Sequence, residues 1–147
     1  SCSGWPPKNQ IYRLPLFYNF RQKDLMDIKV NTIKKMQEEY HSEPADIICC
    51  ICPSIRKCHF EVDSDVRDLF YNKFKYLSNI NNIIEQKGNK YHIDTVALNK
   101  TLLTNIGLKE ENIIDSNLCS VCHQDQINSY RIQKENYKLS TAIITLK

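Results

Sequence analysis

The sequence predicts an α+β domain, on three observations. Two stretches repeat apolar residues at helical spacing, a short continuous apolar run is closed by a proline, and the last three strand-like segments follow one another with no long helix between them. A chain of βαβ units would place a helix in each of those last gaps, so mixed strands and helices fit better than a regular parallel array. With 147 residues, 41% of them hydrophobic, the chain has material for one ordinary domain with a real core.

The elements follow in order. From Asp24 to Tyr40, Leu25, Ile28 or Lys29, Ile33, Met36 and Tyr40 recur at roughly helical spacing, with Lys34, Lys35, Glu38 and Glu39 between them. Pro44 follows the end of this amphipathic helix. "DIICCIC" (46–52), closed by Pro53, reads as a strand buried on both faces, and "CHFEV" (58–62) as a second, short strand. Asp63 or Ser64 can cap a helix carrying Val66, Leu69, Phe70 and Phe74, because a short side-chain oxygen accepts from the unpaired first amides. The end of that helix, between Tyr76 and Asn82, is weakly marked. After the "KGNK" turn (87–90), Asp94 can cap a helix bearing Leu98, Leu102 and Ile106, and Gly107 supplies the left-handed residue that stops it. "ENIIDS" (111–116), "INSYR" (127–131) and "LSTAIITL" (139–146) read as strands, with "CSVCHQDQ" (119–126) as a loop.

Charge and hydropathy remove several function classes. Twenty basic and seventeen acidic residues leave a net charge of +3, and the lysines are scattered among acids instead of forming a stripe with aromatics. Nucleic acid is therefore not an expected partner. No apolar run approaches the roughly eighteen residues of a membrane span, and no charged-then-apolar start resembles a signal peptide. The expectation is a soluble, cytoplasmic protein with no membrane partner. Seven cysteines are an odd number, and Cys49, Cys50 and Cys52 crowd one apolar run, so reduced thiols in a cytosolic setting are expected.

"CSVCH" (119–123) raises the question of a metal or haem group. Two thiols three apart with a following imidazole match both covalent haem attachment and half of a zinc site. Haem attachment calls for an export signal and a helix around the motif, whereas this motif lies in a loop between strands. A four-cysteine zinc site needs a second close pair, which Cys50 and Cys52 supply on one side of a strand. Buried free thiols behaving as small hydrophobes explain that apolar run more simply. A Cys119–Cys122 redox pair remains open.

The order of motifs resembles the second half of the YfiH or laccase-domain family. "CPSIRKCHFEV" (52–62) is similar to its Gly-Pro-Ser-Ile, two residues, then Cys-Cys-Tyr-Glu-Val, and "HIDTVALNKTLLTNIGLKEENI" (92–113) to its aspartate-started helix followed by glycine and Asn-Ile. "LCSVC" (118–122), "NSYR" (128–131) and the closing "LSTAIITL" resemble its Cys-Thr-x-Cys, Phe-Phe-Ser-Tyr-Arg and final strand. Five matches in order from residue 52 onward are specific. The resemblance implies a layered α+β sandwich of mixed β-sheets flanked by helices, with the N-terminal part of the family fold absent. It assigns residues 24–147 to the C-terminal part of a laccase-like domain and leaves residues 1–23 without a counterpart, as an insertion, an arm or an artefact. Exposed apolar edges of such a half-sandwich would be closed by self-association into a homo-oligomer.

The family, formerly described as multicopper polyphenol oxidases, is understood as zinc-dependent purine nucleoside enzymes that deaminate adenosine or cleave the glycosidic bond with phosphate. The resemblance implies zinc (copper in the older description) as cofactor, with purine nucleoside and phosphate as partners. The family's metal is held by a histidine, a cysteine and a second histidine, and "CSGW" at the start resembles a remnant of the last segment, with Cys2 in the histidine's place. A thiolate ligates zinc at about 2.3 Å, so Cys2 is the candidate metal ligand, one of three needed. Arg131 is the candidate for phosphate, because its planar fork matches phosphate oxygens, and Ser54 can offer a hydroxyl to a pocket or cap a turn. Tyr130, alternating with Arg131 along a strand, is expected to face the core.

Cys52 and Arg56 stand where the family has glycine, and a side chain there costs on the order of 1 kcal/mol if φ is positive. His41 is expected at a helix end in solvent, His92 in a loop before Asp94, and His123 as a ligand only if the CxxC pair ligates. Cys58 and His59, adjacent in a strand, are expected on opposite faces, which argues against their acting together. Three functions follow: part of a purine nucleoside enzyme, inactive alone; a non-catalytic binding module on the same scaffold; or a thiol redox protein.

Overall fold

The computed structural model describes residues 11–13, 27–136 and 138. In chain order the elements are β1 (Ile11–Arg13), α1 (Asp27–Tyr40), β2 (Ile48–Ile51), β3 (Glu61–Val62), α2 (Ser64–Phe74), α3 (Ile80–Ile83), β4 (Ile84–Lys87), β5 (Lys90–Ile93), α4 (Thr95–Asn105), β6 (Ile113–Asp115) and α5 (Tyr130–Gln133). One sheet is parallel, in the order β1-β2-β6, and the other antiparallel, in the order β3-β5-β4. The expected mixture of sheets and flanking helices is therefore present. The strand expected at 139–146 lies outside the described residues, as do residues 24–26 of the first helix. Among the described residues no helix is long and apolar enough to cross a membrane.

The described residues fall into two compact units. The first takes those up to Cys52 and Asn99–Ser116. Its sheet is centred on β2, whose Cys49 stands opposite Tyr12 on one side and Ile113 on the other. Cys49 and Ile51 are buried while Ile48 and Cys50 are half-buried, so the run is fully covered on one face only. Within residues 1–23, which the family resemblance leaves without a counterpart, Ile11–Arg13 forms β1, because three residues need no side-chain period to pair their backbone with a central strand. Helix α1 buries Ile33 and Met36, which realises the helical spacing, whereas Tyr40 at its end is exposed. His41 follows with φ of 52° in solvent.

The C-terminal end of α4 closes as expected. Gly107, at φ +103°, donates its amide to Thr104 O (3.0 Å), and Leu108 donates to Leu103 O (3.1 Å). This double bond satisfies carbonyls that the helix leaves open, and it requires a residue tolerant of positive φ. A Cβ at Gly107 would also stand 3.2 Å from Pro44 Cβ. Lys100 of α4 pairs at 3.0 Å with the nearly buried carboxylate of Asp115 in β6.

The second unit takes Pro53–Leu98 and the residues from Asn117 on. Phe70, Phe74, Ile83 and Ile93 are buried in it, with Phe60 edge-on to Phe70 at 6.4 Å between ring centroids. Asp94 caps α4, its Oδ1 accepting from Ala97 N at 2.9 Å. Asp63 stands at the cap position of α2 without a side-chain cap bond, and its carboxylate accepts from Lys90 Nζ instead. The poorly marked stretch after α2 resolves into α3 and the β4–β5 hairpin, turning at Gly88 with φ +59°.

His92, expected in a loop, lies in β5 opposite Glu61 and is almost buried. The expected second strand is shorter than read: only Glu61–Val62 pairs, and Lys57–His59 is a turn. "INSYR" is not a strand either. Tyr130 opens the helical turn α5 and is 68% exposed, which corrects the expectation that it faces the core.

Candidate functional site

Within the second unit, two loops far apart in sequence are pinned together. Ser54 and Cys119 form a short parallel bridge, with Ser54 N donating to Leu118 O (3.3 Å) and Ser120 N to Ser54 O (3.1 Å). Arg56 adds its Nε on the same Leu118 O at 3.3 Å. Immediately after the bridge the chain turns, His59 N and Phe60 N both donating to Arg56 O at 2.9 and 2.8 Å. Two anchors hold this turn: the buried Phe60 ring on one side, and His92 Nδ1 at 2.8 Å from Lys57 O on the other. Across the bridge, 119–123 forms its own turn, with His123 N on Cys119 O at 3.0 Å.

The consequence is that Cys58, His59, Cys119 and Cys122 converge, one ligand atom from each lying within 4.8 Å of the others. Cys58 Sγ stands 3.6 Å from Cys119 Sγ and 3.8 Å from Cys122 Sγ. His59 Nδ1 stands 3.2 Å from Cys58 Sγ, 3.7 Å from Cys119 Sγ and 3.5 Å from Cys122 Sγ. Cys119 is buried, while the other three are exposed. Three sulfurs and an imidazole are donors suited to a soft or borderline metal ion, so this set can hold one.

Cys58 and Cys119 differ electrostatically. Burial and hydrogen bonding with Cys119 and Cys122 push Cys58 up to about 12, since a second thiolate beside the first is disfavoured. Burial also pushes Cys119 up, but the backbone amides of Cys122, Arg56 and Val121 and the His59 ring more than offset it, bringing it down to about 6.

This cluster corrects one expectation: Cys58 and His59 share a turn and not a strand, so strand alternation does not separate them. The residues that meet Cys119 and Cys122 are Cys58 and His59, whereas Cys50 with Cys52 is the pair weighed in the sequence and set aside in favour of buried free thiols. A second adjacent Cys-His pair upstream of the CxxC was visible in "KCH", but the strand reading masked it. His123 lies outside the cluster; its Nδ1 is 3.1 Å from Cys119 O.

Of the predicted site residues, Ser54 sits in the bridge, and its Oγ is buried without a hydrogen-bond partner. Arg131 lies in α5, exposed, its guanidinium carbon 6.0 Å from the centroid of the Phe60 ring. Cys2 lies outside the described residues. Cys52 and Arg56 carry no left-handed strain: the described non-glycine residues with positive φ are His41, Asn117 and Lys134. Side chains at those two glycine positions are therefore accommodated without the expected cost.

One parallel and one antiparallel three-stranded sheet with flanking helices make this a protein of mixed α/β class. The profile of the family "Multi-copper polyphenol oxidoreductase laccase" matches residues 23–147, and the chain belongs to that family. It is 28% identical over 101 residues to a purine nucleoside phosphorylase of Bacteroides thetaiotaomicron, covering 69% of this chain and 37% of that protein. Among solved structures it superposes on the YfiH protein of Bacillus licheniformis with a TM-score of 0.61 and 27% identity, covering 71% of this chain and 39% of the other. Superposition on YlmD of Geobacillus stearothermophilus gives a TM-score of 0.65 at 24% identity, covering 73% and 39%, a likeness of fold. The chain thus spans about two-fifths of the length of these relatives.

Proposed function

We propose that this chain is the C-terminal part of a purine nucleoside enzyme, acting on adenosine or on purine nucleosides with phosphate. The single observation that carries this reading is the match to a relative named purine nucleoside phosphorylase, over 69% of the chain. Two local features support it. The Ser54 hydroxyl is a buried polar group without a partner, and such a group is satisfied by a bound molecule at lower cost than by leaving it orphaned. The exposed Arg131 guanidinium carries a fork of donors suited to phosphate oxygens.

The family's zinc chemistry needs three protein donors and an open fourth position. Among the described residues the metal-competent group is Cys58, His59, Cys119 and Cys122, which offers four donors and so does not fit that role. Cys2 is the one residue of this chain proposed for the catalytic ion, and the remaining ligands would come from outside the described residues. What this chain's own residues would do is bind and orient: Ser54 at the nucleoside and Arg131 at the phosphate.

The test is binding of adenosine and of inorganic phosphate to the purified chain, followed by amide chemical shifts, with inosine phosphorolysis and adenosine deamination assayed alongside. Weak, saturable shifts around residues 54 and 131, with the phosphate response abolished in Arg131→Ala, are expected. Absence of any response to either ligand sinks the reading.

A further inference from the structure

The geometry points to a closed, tetrahedral zinc site built from Cys58, His59, Cys119 and Cys122, a structural clamp separate from any metal that acts on a nucleoside. A tetrahedral zinc ion with Zn–S of about 2.3 Å and Zn–N of about 2.0 Å places its sulfurs about 3.8 Å apart and each sulfur about 3.5 Å from the nitrogen. The sulfur separations here are 3.6 and 3.8 Å, and those from His59 Nδ1 to the three sulfurs are 3.2, 3.7 and 3.5 Å. Five edges of the tetrahedron thus match the ideal to within a few tenths of an ångström. Thiols are weak hydrogen-bond donors, and exposed ones gain little by converging in water, so their mutual attraction does not account for this arrangement.

The surroundings fit a ligated sulfur. Backbone amides of Arg56, Val121 and Cys122 are directed at Cys119 Sγ, and a zinc-bound sulfur, which keeps excess negative charge, accepts such bonds well. His59 uses Nδ1 for the cluster, and its exposed ring leaves the other nitrogen free to meet water. Soft thiolates with one imidazole in tetrahedral array select zinc over hard cations.

Four protein donors saturate the ion, leaving no position for water or substrate, so its role is mechanical. The clamp joins positions 61 and 64 residues apart, beside the Ser54–Cys119 bridge and the Arg56 contact. Cross-links that close long loops gain the most, and this one would close a loop of about sixty residues.

The experiment uses the full chain, loaded with zinc under reducing conditions and dialysed against metal-free buffer. One zinc per chain is expected by mass spectrometry of the metal content. Cobalt substitution should give tetrahedral d–d bands and thiolate charge transfer, and His59→Cys should keep the metal while raising the charge-transfer intensity by about one third, from three thiolates to four. Cys122→Ser should weaken zinc binding by more than the roughly 100-fold seen for loss of an outer-shell partner. The double variant Cys50→Ser/Cys52→Ser should retain one zinc. Should Cys122→Ser fail to fold, the unaltered chain still decides: zinc should protect the exposed Cys58 and Cys122 from iodoacetamide, and a chelator should restore their alkylation. No bound zinc after loading, equal alkylation with and without zinc, or zinc lost in the Cys50/Cys52 variant and kept in Cys122→Ser would overturn the assignment.

Discussion

The chain carries two groups of cysteines, and the structure treats them in opposite ways. In the first unit, Cys49 and Cys50 are neighbours in β2, and being adjacent in a strand they point to opposite faces. Burial, with Cys50 next to it, raises the Cys49 thiol to about 11, which makes it a small apolar side chain. In the second unit, Cys58, Cys119 and Cys122 come from segments more than sixty residues apart and meet within 4.8 Å of each other and of His59. Local cysteine density is therefore a poor guide to thiol chemistry. What matters is whether the backbone turns the sulfurs toward one point: a strand disperses adjacent thiols, and two facing turns gather distant ones.

The largest test of this contrast is metal removal. At a free zinc concentration about 1,000 times the dissociation constant, the second unit should gain about 4 kcal/mol, read as a shift in urea midpoint between zinc-loaded and chelated protein. The shift should vanish in Cys122→Ser and persist in Cys50→Ser. An equal shift in both variants would break the contrast.

The next effect lies beside the strand cysteines. Burial lowers the Lys29 amine to about 7, outweighing the pull of the Cys49 thiolate. Because the unfolded chain keeps its proton up to about pH 10.5, the unfolded state binds more protons above pH 7, and stability rises with pH there. Above pH 9 the raised Cys49 thiol works the other way, since its thiolate forms more readily when unfolded. Cys119, brought down to about 6, adds a rise of its own between pH 7 and 9, so the Lys29 gain should be read as the difference between wild type and Lys29→Met in that window, at roughly 2–3 kcal/mol, with Lys29→Met also stabilising the protein at neutral pH. A wild-type profile with the same slope as that of Lys29→Met over this window would show that Lys29 does not lose its proton on folding.

The smallest pair sharpens the comparison directly. Cys49→Ser places a hydroxyl in an apolar sheet and should cost about 1–3 kcal/mol in denaturant midpoints. Cys122→Ser in metal-free protein, at an exposed turn, should stay within about 0.5 kcal/mol of wild type. Equal costs for the two would mean that both thiols are packed alike.

Several elements are legible in the sequence alone, for local reasons. The cap at Asp94, the stop at Gly107 and the strand β2 depend on residues a few positions apart, and each appears where expected, although β2 is fully covered on one face and not on both. The turn of the β4–β5 hairpin is legible as "KGNK", and its flanking strands "IIEQK" and "KYHI", which the sequence reading does not assign, complete a two-residue hairpin at Gly88-Asn89. The "INSYR" segment failed for a different reason. Its composition suits a strand, but Tyr130, Arg131 and Ile132 are all exposed, so no face alternates toward a core, and the chain turns helically there.

The family was legible in ordered motifs, and the profile match over residues 23–147 agrees with it. By itself the sequence determined the mixed α and β character, the helix with its cap and stop, and the family, because periodicity, capping and motif order are local properties of a chain. Only the tertiary structure decided which thiols meet. Whether Lys57–His59 is strand or turn depends on the Ser54–Cys119 bridge, the Phe60 anchor and the His92 contact. Of those partners Cys119 and His92 lie tens of residues away, and no local pattern encodes the distance to them.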